Sequence, residues 1–187
     1  MKLHTNLLNY CLLVTLLIFS SCQDEEEASR RDMLIGTWEI QSGELFDYNL
    51  TVSGVPLTRS AVQGLAALNA DLAEIDKALE DGADILFPAG TTIMFNDDNT
   101  YLVDDQTDVV DGSWSLSDDE QTITVQSETA IGTSELNFTI ETFTEQQIGL
   151  LLVLDRDDIN LESQGIDELP AEIEDFTIEY KFNFTKQ

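Results

Sequence analysis

The chain has 187 residues, of which 37 are acidic and eight basic, giving a net charge of −29 at pH 7. That balance excludes binding to DNA, RNA or anionic lipid headgroups, each of which needs positive charge to displace counterions. The length suits one domain with a sizeable core.

The first element is a leader, residues 1–21. Lys2 is followed by a mostly apolar run from Leu7 to Phe19, interrupted near its start by Asn9 and Tyr10 and ending in the small pair Ser20-Ser21. The run is too short for a membrane span, which needs about 20 apolar residues, and reads as a secretory signal. Phe19-Ser20-Ser21-Cys22 resembles the lipobox of bacterial lipoproteins, with Phe19 where an aliphatic residue is usual. The resemblance implies cleavage before Cys22 and lipid on its amine and thiol, a multi-chain anchor that holds stably to a membrane. Residues 22–32 form an acidic tether, in which Gln23, Asp24, Glu25, Glu26 and Glu27 stand directly after the cysteine. Such a run reads as a solvated linker. It also resembles the export signal of Bacteroidetes-type surface lipoproteins, which implies an outer-membrane lipoprotein exposed on the cell surface rather than facing inward.

Removing the leader also removes chemistry. It contains the single histidine, His4, the cysteine Cys11, one basic residue and no acid, so seven bases face 37 acids and the net charge becomes −30. With Cys22 committed to lipid, the remaining chain has no histidine and no free thiol. Histidine triads, cysteine nucleophiles and the common zinc sites are excluded, since each needs one of those side chains. The expectation is a protein that is not an enzyme and takes no metal or cofactor. Its charge favours a soluble, mutually repelling monomer.

Residues 33–187 form the predicted domain. Met33 to Ile40 opens it as a strand, with Trp38 and Ile40 alternating against Thr37 and Glu39; Gly43 marks a bulge before Leu45 to Tyr48. From Ser60, the apolar residues Val62, Leu65, Leu68, Leu72, Ile75 and Leu79 recur every three or four positions. Ser60 with Gln63 has the form of a capping box and Gly82 that of a terminator, so one long amphipathic helix is predicted over 60–81. Strands follow at 91–95 and 101–103, at 112–116 and 122–126, and at 135–143 and 148–154, each pair joined by a polar turn. An acidic loop covers 155–174. The last strand alternates Phe176, Ile178, Tyr180, Phe182 and Phe184 against polar neighbours. About eight strands with hairpin connections suggest a mainly β fold, an antiparallel barrel with the helix between strands 1 and 2. Leu150 to Leu154 is apolar on both faces, which predicts that the helix covers the outside of that strand.

Gly36-Thr37-Trp38 opens the first strand and Gly112-Ser113-Trp114 the fourth; together with Phe95 to Tyr101 these segments resemble lipocalin-like lipoproteins of the Bacteroidetes type. The resemblance spans roughly Leu34 to Phe184 and implies an eight-stranded lipocalin-like barrel. It also implies that Trp38 plugs the closed end of the barrel beneath a basic side chain, for which Arg156 is the candidate by cation–π stacking. Trp114 reads as a core residue. The chain departs from secreted lipocalins in lacking a disulfide and in carrying its helix early.

An eight-stranded barrel is either filled by side chains or holds one small ligand. Tyr101, Phe138, Ile140 and Tyr180 are the expected lining of any cavity. Asp155 to Asn160 superficially resembles a calcium loop but has Ile159 where an oxygen is needed, so it reads as a solvated loop. Two functions stay open: a barrel holding a small apolar ligand, or an accessory lipoprotein contacting glycan, protein or a transporter through loops and helix. A filled barrel with an exposed apolar patch on the helix would favour the second.

Overall fold

The computed structural model describes residues 29–127, 135–158 and 173–187. Cys22 and the run Gln23 to Glu27 lie outside them, as does most of the acidic 155–174 loop, including Ile159 and Asn160. A short helix α1 (Arg30–Leu34) leads into β1 (Gly36–Val52) and β2 (Val55–Thr58), then helices α2 (Arg59–Ala66) and α3 (Ala70–Leu86). Strands β3 (Thr92–Phe95), β4 (Thr100–Asp104), β5 (Val109–Leu116), β6 (Thr122–Gln126), β7 (Glu135–Phe143), β8 (Gln147–Asp155) and β9 (Ile173–Lys186) follow. All neighbours pair antiparallel, and β9 returns to pair with β1. That pairing closes an eight-stranded barrel of β1 and β3 to β9, with β2 added as a flap on the far half of β1.

Alternation sets the inside. Directly paired residues share a face, so one inward set runs round the ring: Ile40, Phe184, Ile148 and Phe143 in one row, and Leu45, Tyr180, Leu152, Phe138 and Ile123 in another. β1 keeps its apolar residues other than Phe46 inside although they are not evenly spaced. Register shifts between Ile40 and Ser42 and between Leu45 and Asp47 each insert one residue, so Leu45, Tyr48 and Leu50 all point inward. The predicted bulge at Gly43 is thus at Gln41, and Gly43 lies inside against the Phe182 ring.

The predicted single helix is two. Thr58 caps α2 by accepting the Ala61 N–H at 3.4 Å, and Asn69 caps α3 by accepting those of Asp71 and Leu72 at 2.9 and 3.4 Å. Ser60 is therefore not the cap, and both helices follow β2 rather than β1. Gly82 does not terminate α3, which continues to Leu86. It faces the Tyr180 hydroxyl so closely that a Cβ would overlap it. α3 also lies on the inside of the wall, not the outside. β1 has 17 residues and β9 has 14, whereas β3 and β4 have four and five. The tall β1–β9–β8 wall therefore has an inner face that the short strands do not cover, and α3 packs there through Leu72, Ile75, Leu79 and Ala83. On the outside, Val153 is left 41% exposed.

Candidate functional site

Two ends of the barrel carry the arrangements that matter. At the first, α1 lies across the strand ends. The Trp38 indole N–H donates to Leu34 O at 2.7 Å, and Leu34 is fully buried. Lys186 Nζ sits 5.3 Å from the Trp38 ring centroid and donates to Met33 O at 2.6 Å. The cation over Trp38 is thus Lys186, brought there because the last residues of β9 pair with Trp38 and Glu39. Arg156 does not cover Trp38. It follows the opposite end of β8, where its guanidinium donates to Glu174 O.

Trp114 meets the same end. It packs edge-on to Phe95 at 5.2 Å, donates to Asn96 O at 3.0 Å, and lies 5.2 Å beneath the Arg31 guanidinium. Arg31 also donates to Asn99 Oδ1 at 2.6 Å and Asp97 O at 2.9 Å. Arg30 lies over Phe143 and donates to Glu120 O at 2.9 Å. The two Gly-x-Trp segments and three cations therefore form one plug. Gly36 opens β1 opposite Phe95, whereas Gly112 lies inside β5, which begins at Val109. A Cβ at Gly112 would fall on the Gln126 carbonyl oxygen and the Tyr101 ring. That close approach, and not the start of a strand, is what glycine serves there.

The turns at this end are acidic and internally satisfied. Asp98 accepts from the Thr100 N–H and hydroxyl at 3.0 and 2.6 Å, and Asp119 accepts from the Ser117 hydroxyl at 2.6 Å and the Gln121 N–H at 3.1 Å. These bonds hold both carboxyls below the ordinary carboxylate range. They are turn-forming residues that stabilise left-handed backbone at Asn99 and Glu120. Among the described residues, no group of three acidic side chains is placed to hold a metal ion.

The second end is the mouth, and α3 descends from it along the inner wall. The Tyr48 hydroxyl donates to Asp76 Oδ1 at 2.7 Å, and the Tyr180 hydroxyl donates to Leu79 O at 3.0 Å. Burial raises the pKa of both phenols, of Tyr180 to about 12; at Tyr48 the Asp76 carboxylate adds to the shift. Arg59 clamps the same region, donating to Leu45 O at 2.7 Å and pairing with Glu80 at 3.1 Å. One turn beyond Ala83, Phe87 reaches the middle of the barrel. Its ring stands edge-on to Phe182 at 4.8 Å and Phe184 at 5.7 Å, and lies 6.2 Å from Phe138.

The expected cavity lining is found in the core. Tyr101, Phe138, Ile140 and Tyr180 are all buried and face inward, but the centre they surround is reached by the chain's own Phe87. Sequence reasoning missed Phe87, Tyr48 and Arg59; the only available signal for Phe87 was an aromatic directly before Pro88 at a helix end. On the outward side, the turn between α2 and α3 is apolar: Leu65 is 43% exposed and Leu68 87% exposed, flanking Ala66 and Ala67.

The structure thus defines an antiparallel eight-stranded barrel plugged at one end by α1 and filled from the other by α3. Among solved structures, it is similar to a DUF4847 family protein from Bacteroides vulgatus ATCC 8482, at 14% identity over 83% of this chain and 96% of that one, with a TM-score of 0.33. No protein-family model and no curated protein matches the chain.

Proposed function

We propose that this is a lipid-anchored, cell-surface, non-catalytic interaction protein. Its binding surface is the outward side of the α2–α3 pair, and its partner is a surface macromolecule, protein or glycan. The observation that carries this reading is the place of Phe87, which stands among Phe138, Phe182 and Phe184 where an internal ligand would sit. Leu65 and Leu68 add to it, since two leucines 43% and 87% exposed at one helix turn form an apolar tip that suits a contact. Anchoring is read from Cys22 and surface export from Gln23 to Glu27. The absence of histidine and free thiol from the mature sequence supports a role without catalysis.

Native mass spectrometry of residues 23–187, purified without organic extraction, tests the choice. The expected result is the mass of the polypeptide alone; a retained small apolar molecule would overturn the interaction reading in favour of ligand carriage. Replacing Cys22 with Ala should release the full chain from membranes. Replacing Asp24 to Glu27 with Ala should remove its accessibility to protease on intact cells.

A further inference from the structure

The lipid anchor and the plug together set an orientation. α1 is fixed to the barrel by contacts of different kinds to four elements: Arg30 to the β5–β6 turn and Phe143 of β7, Arg31 to the β3–β4 turn, and Leu34 to Trp38 of β1. The chain that precedes Ser29 therefore leaves the domain at the plugged end. Six residues lie between Cys22 and Ser29, and whatever their conformation the seven Cα-to-Cα steps span at most about 25 Å at ~3.6 Å each. β1 runs 17 residues, from Gly36 at the plug to Val52 at the mouth. At a rise of ~3.3 Å and a barrel strand tilt near 40°, the mouth stands roughly 40 Å from the plug.

With α1 docked, the tether is shorter than the barrel, so the domain cannot stand on its mouth. It could lie on its side, but the wall does not suit a bilayer. The outer face of β1, β7, β8 and β9 carries Glu39, Glu44, Asp47, Glu141 and Glu179 around Lys181, which is paired to Glu141 at 2.9 Å and lies over the Phe46 ring, with Phe46 and Val153 as exposed apolar residues, 49% and 41% exposed. Two apolar side chains among five carboxylates give that wall little to insert into a bilayer, and no lipid anchors it there, whereas the plugged end is held by the tether itself.

We propose that the α1-plugged end is the membrane-facing surface of the anchored protein and that the α2–α3 mouth, with Leu65 and Leu68 at its tip, points away from the bilayer. This rests on the lipid-anchor reading above and deepens it. The Asp97-Asp98 and Asp118-Asp119 turns then face the headgroups without adsorbing to them, and lipid on Cys22 supplies the attachment.

The test uses the acylated full chain, purified from membranes and reconstituted in phosphatidylcholine vesicles carrying a headgroup-attached energy acceptor. Cys22 is capped by lipid and Cys11 is lost with the leader, so a cysteine introduced by D118C or L68C is the sole thiol available for a donor dye. Both positions are exposed, and neither side chain makes a bond to the fold. Transfer is expected to be strong from position 118 and to fall to near background from position 68. Equal transfer from both would mean a domain lying on its side, and stronger transfer from 68 an inverted one; either overturns the proposed orientation. Flotation of the unlabelled protein with the vesicles reports the anchor separately. If it fails to float, or floats equally well with C22A, the lipid-anchor reading has failed and the orientation falls with it.

Discussion

Phe87→Ala is the sharpest test of the statement that the barrel is filled by its own helix. Removing a fully buried phenylalanine side chain costs about 3–5 kcal/mol, from lost transfer energy and the cavity left behind. Phe87 is half-buried, which lowers the figure, but its ring meets two others edge-on, at 4.8 and 5.7 Å, and such pairs contribute ~0.5–1.5 kcal/mol beyond area. A loss of about 2–3 kcal/mol follows, equivalent to roughly 5–10 °C in Tm for a domain of this size. Urea denaturation and calorimetry of residues 23–187 measure it. The variant should also gain a property: an apolar space walled by Phe138, Phe182 and Phe184 should take up benzene and regain part of the lost Tm, as dry engineered cavities do. The parent should show no such response. A loss below ~1 kcal/mol, well short of the range for core truncation, or equal benzene stabilisation of both proteins, would refute the wedge and return the barrel to a ligand-holding role.

Other outcomes follow from the same packing. Lys186→Met removes the cation over Trp38 and the bond to Met33 O, a combined loss of about 2 kcal/mol; urea curves should show it, and trypsin should cut faster after Arg30 and Arg31 as α1 loosens. Gly112→Ala forces a methyl onto the Gln126 carbonyl and the Tyr101 ring and should destabilise by ~1–3 kcal/mol, seen as a lower urea midpoint at unchanged slope. Leu68→Ser should leave folding unchanged within ~0.5 kcal/mol, as expected at an exposed site; a larger loss would mean that Leu68 serves the fold. Alkaline pH should destabilise. Tyr48, Tyr101 and Tyr180 all have raised pKa values in the folded chain, each chiefly through burial. Below the unfolded value of about 10 their contribution is fully present, and it is lost as pH rises towards the folded values, because only the unfolded chain then ionises. The urea midpoint should fall above pH 10, with tyrosinate absorbance appearing together with unfolding rather than before it.

The sequence made β9 legible because its alternation from Phe176 to Phe184 has no gap, and the β3–β4 and β5–β6 hairpins were marked by Asp, Asn and Ser at their turns, whereas the β7–β8 turn, Thr144-Glu145-Gln146, was marked by polarity alone. The β2 flap was less visible: four residues containing Pro56 carry little pattern, although Ser53-Gly54, both with positive φ, is the pair a two-residue hairpin needs. The break between α2 and α3 was hidden because Ala66, Ala67 and Leu68 continue the helical spacing, while the stop depends on one side chain, Asn69, capping the next helix. Two site features needed three dimensions. The side of the wall that α3 occupies depends on strand heights, which a period does not encode. The cation over Trp38 depends on register at the far end of the chain: Arg156 is nearer in sequence, but Lys186 is the residue that pairs across from Trp38.

The long antiparallel pairing of β1 with β9 also dictates an order of events during biosynthesis. The strand that carries Trp38, Ile40 and Tyr48 has β2 and β3 beside its two ends early, but it finds the partner that runs its whole length only when residues 173–186 have been made, so the ring cannot close on a nascent chain. Contacts of such large sequence separation are slow to form. Until then the inward apolar side chains of β1 and β8 lack the cover of β9. On the proposed reading of an exported lipoprotein, the last strand would act as a latch that sets only after residues 173–186 have been delivered.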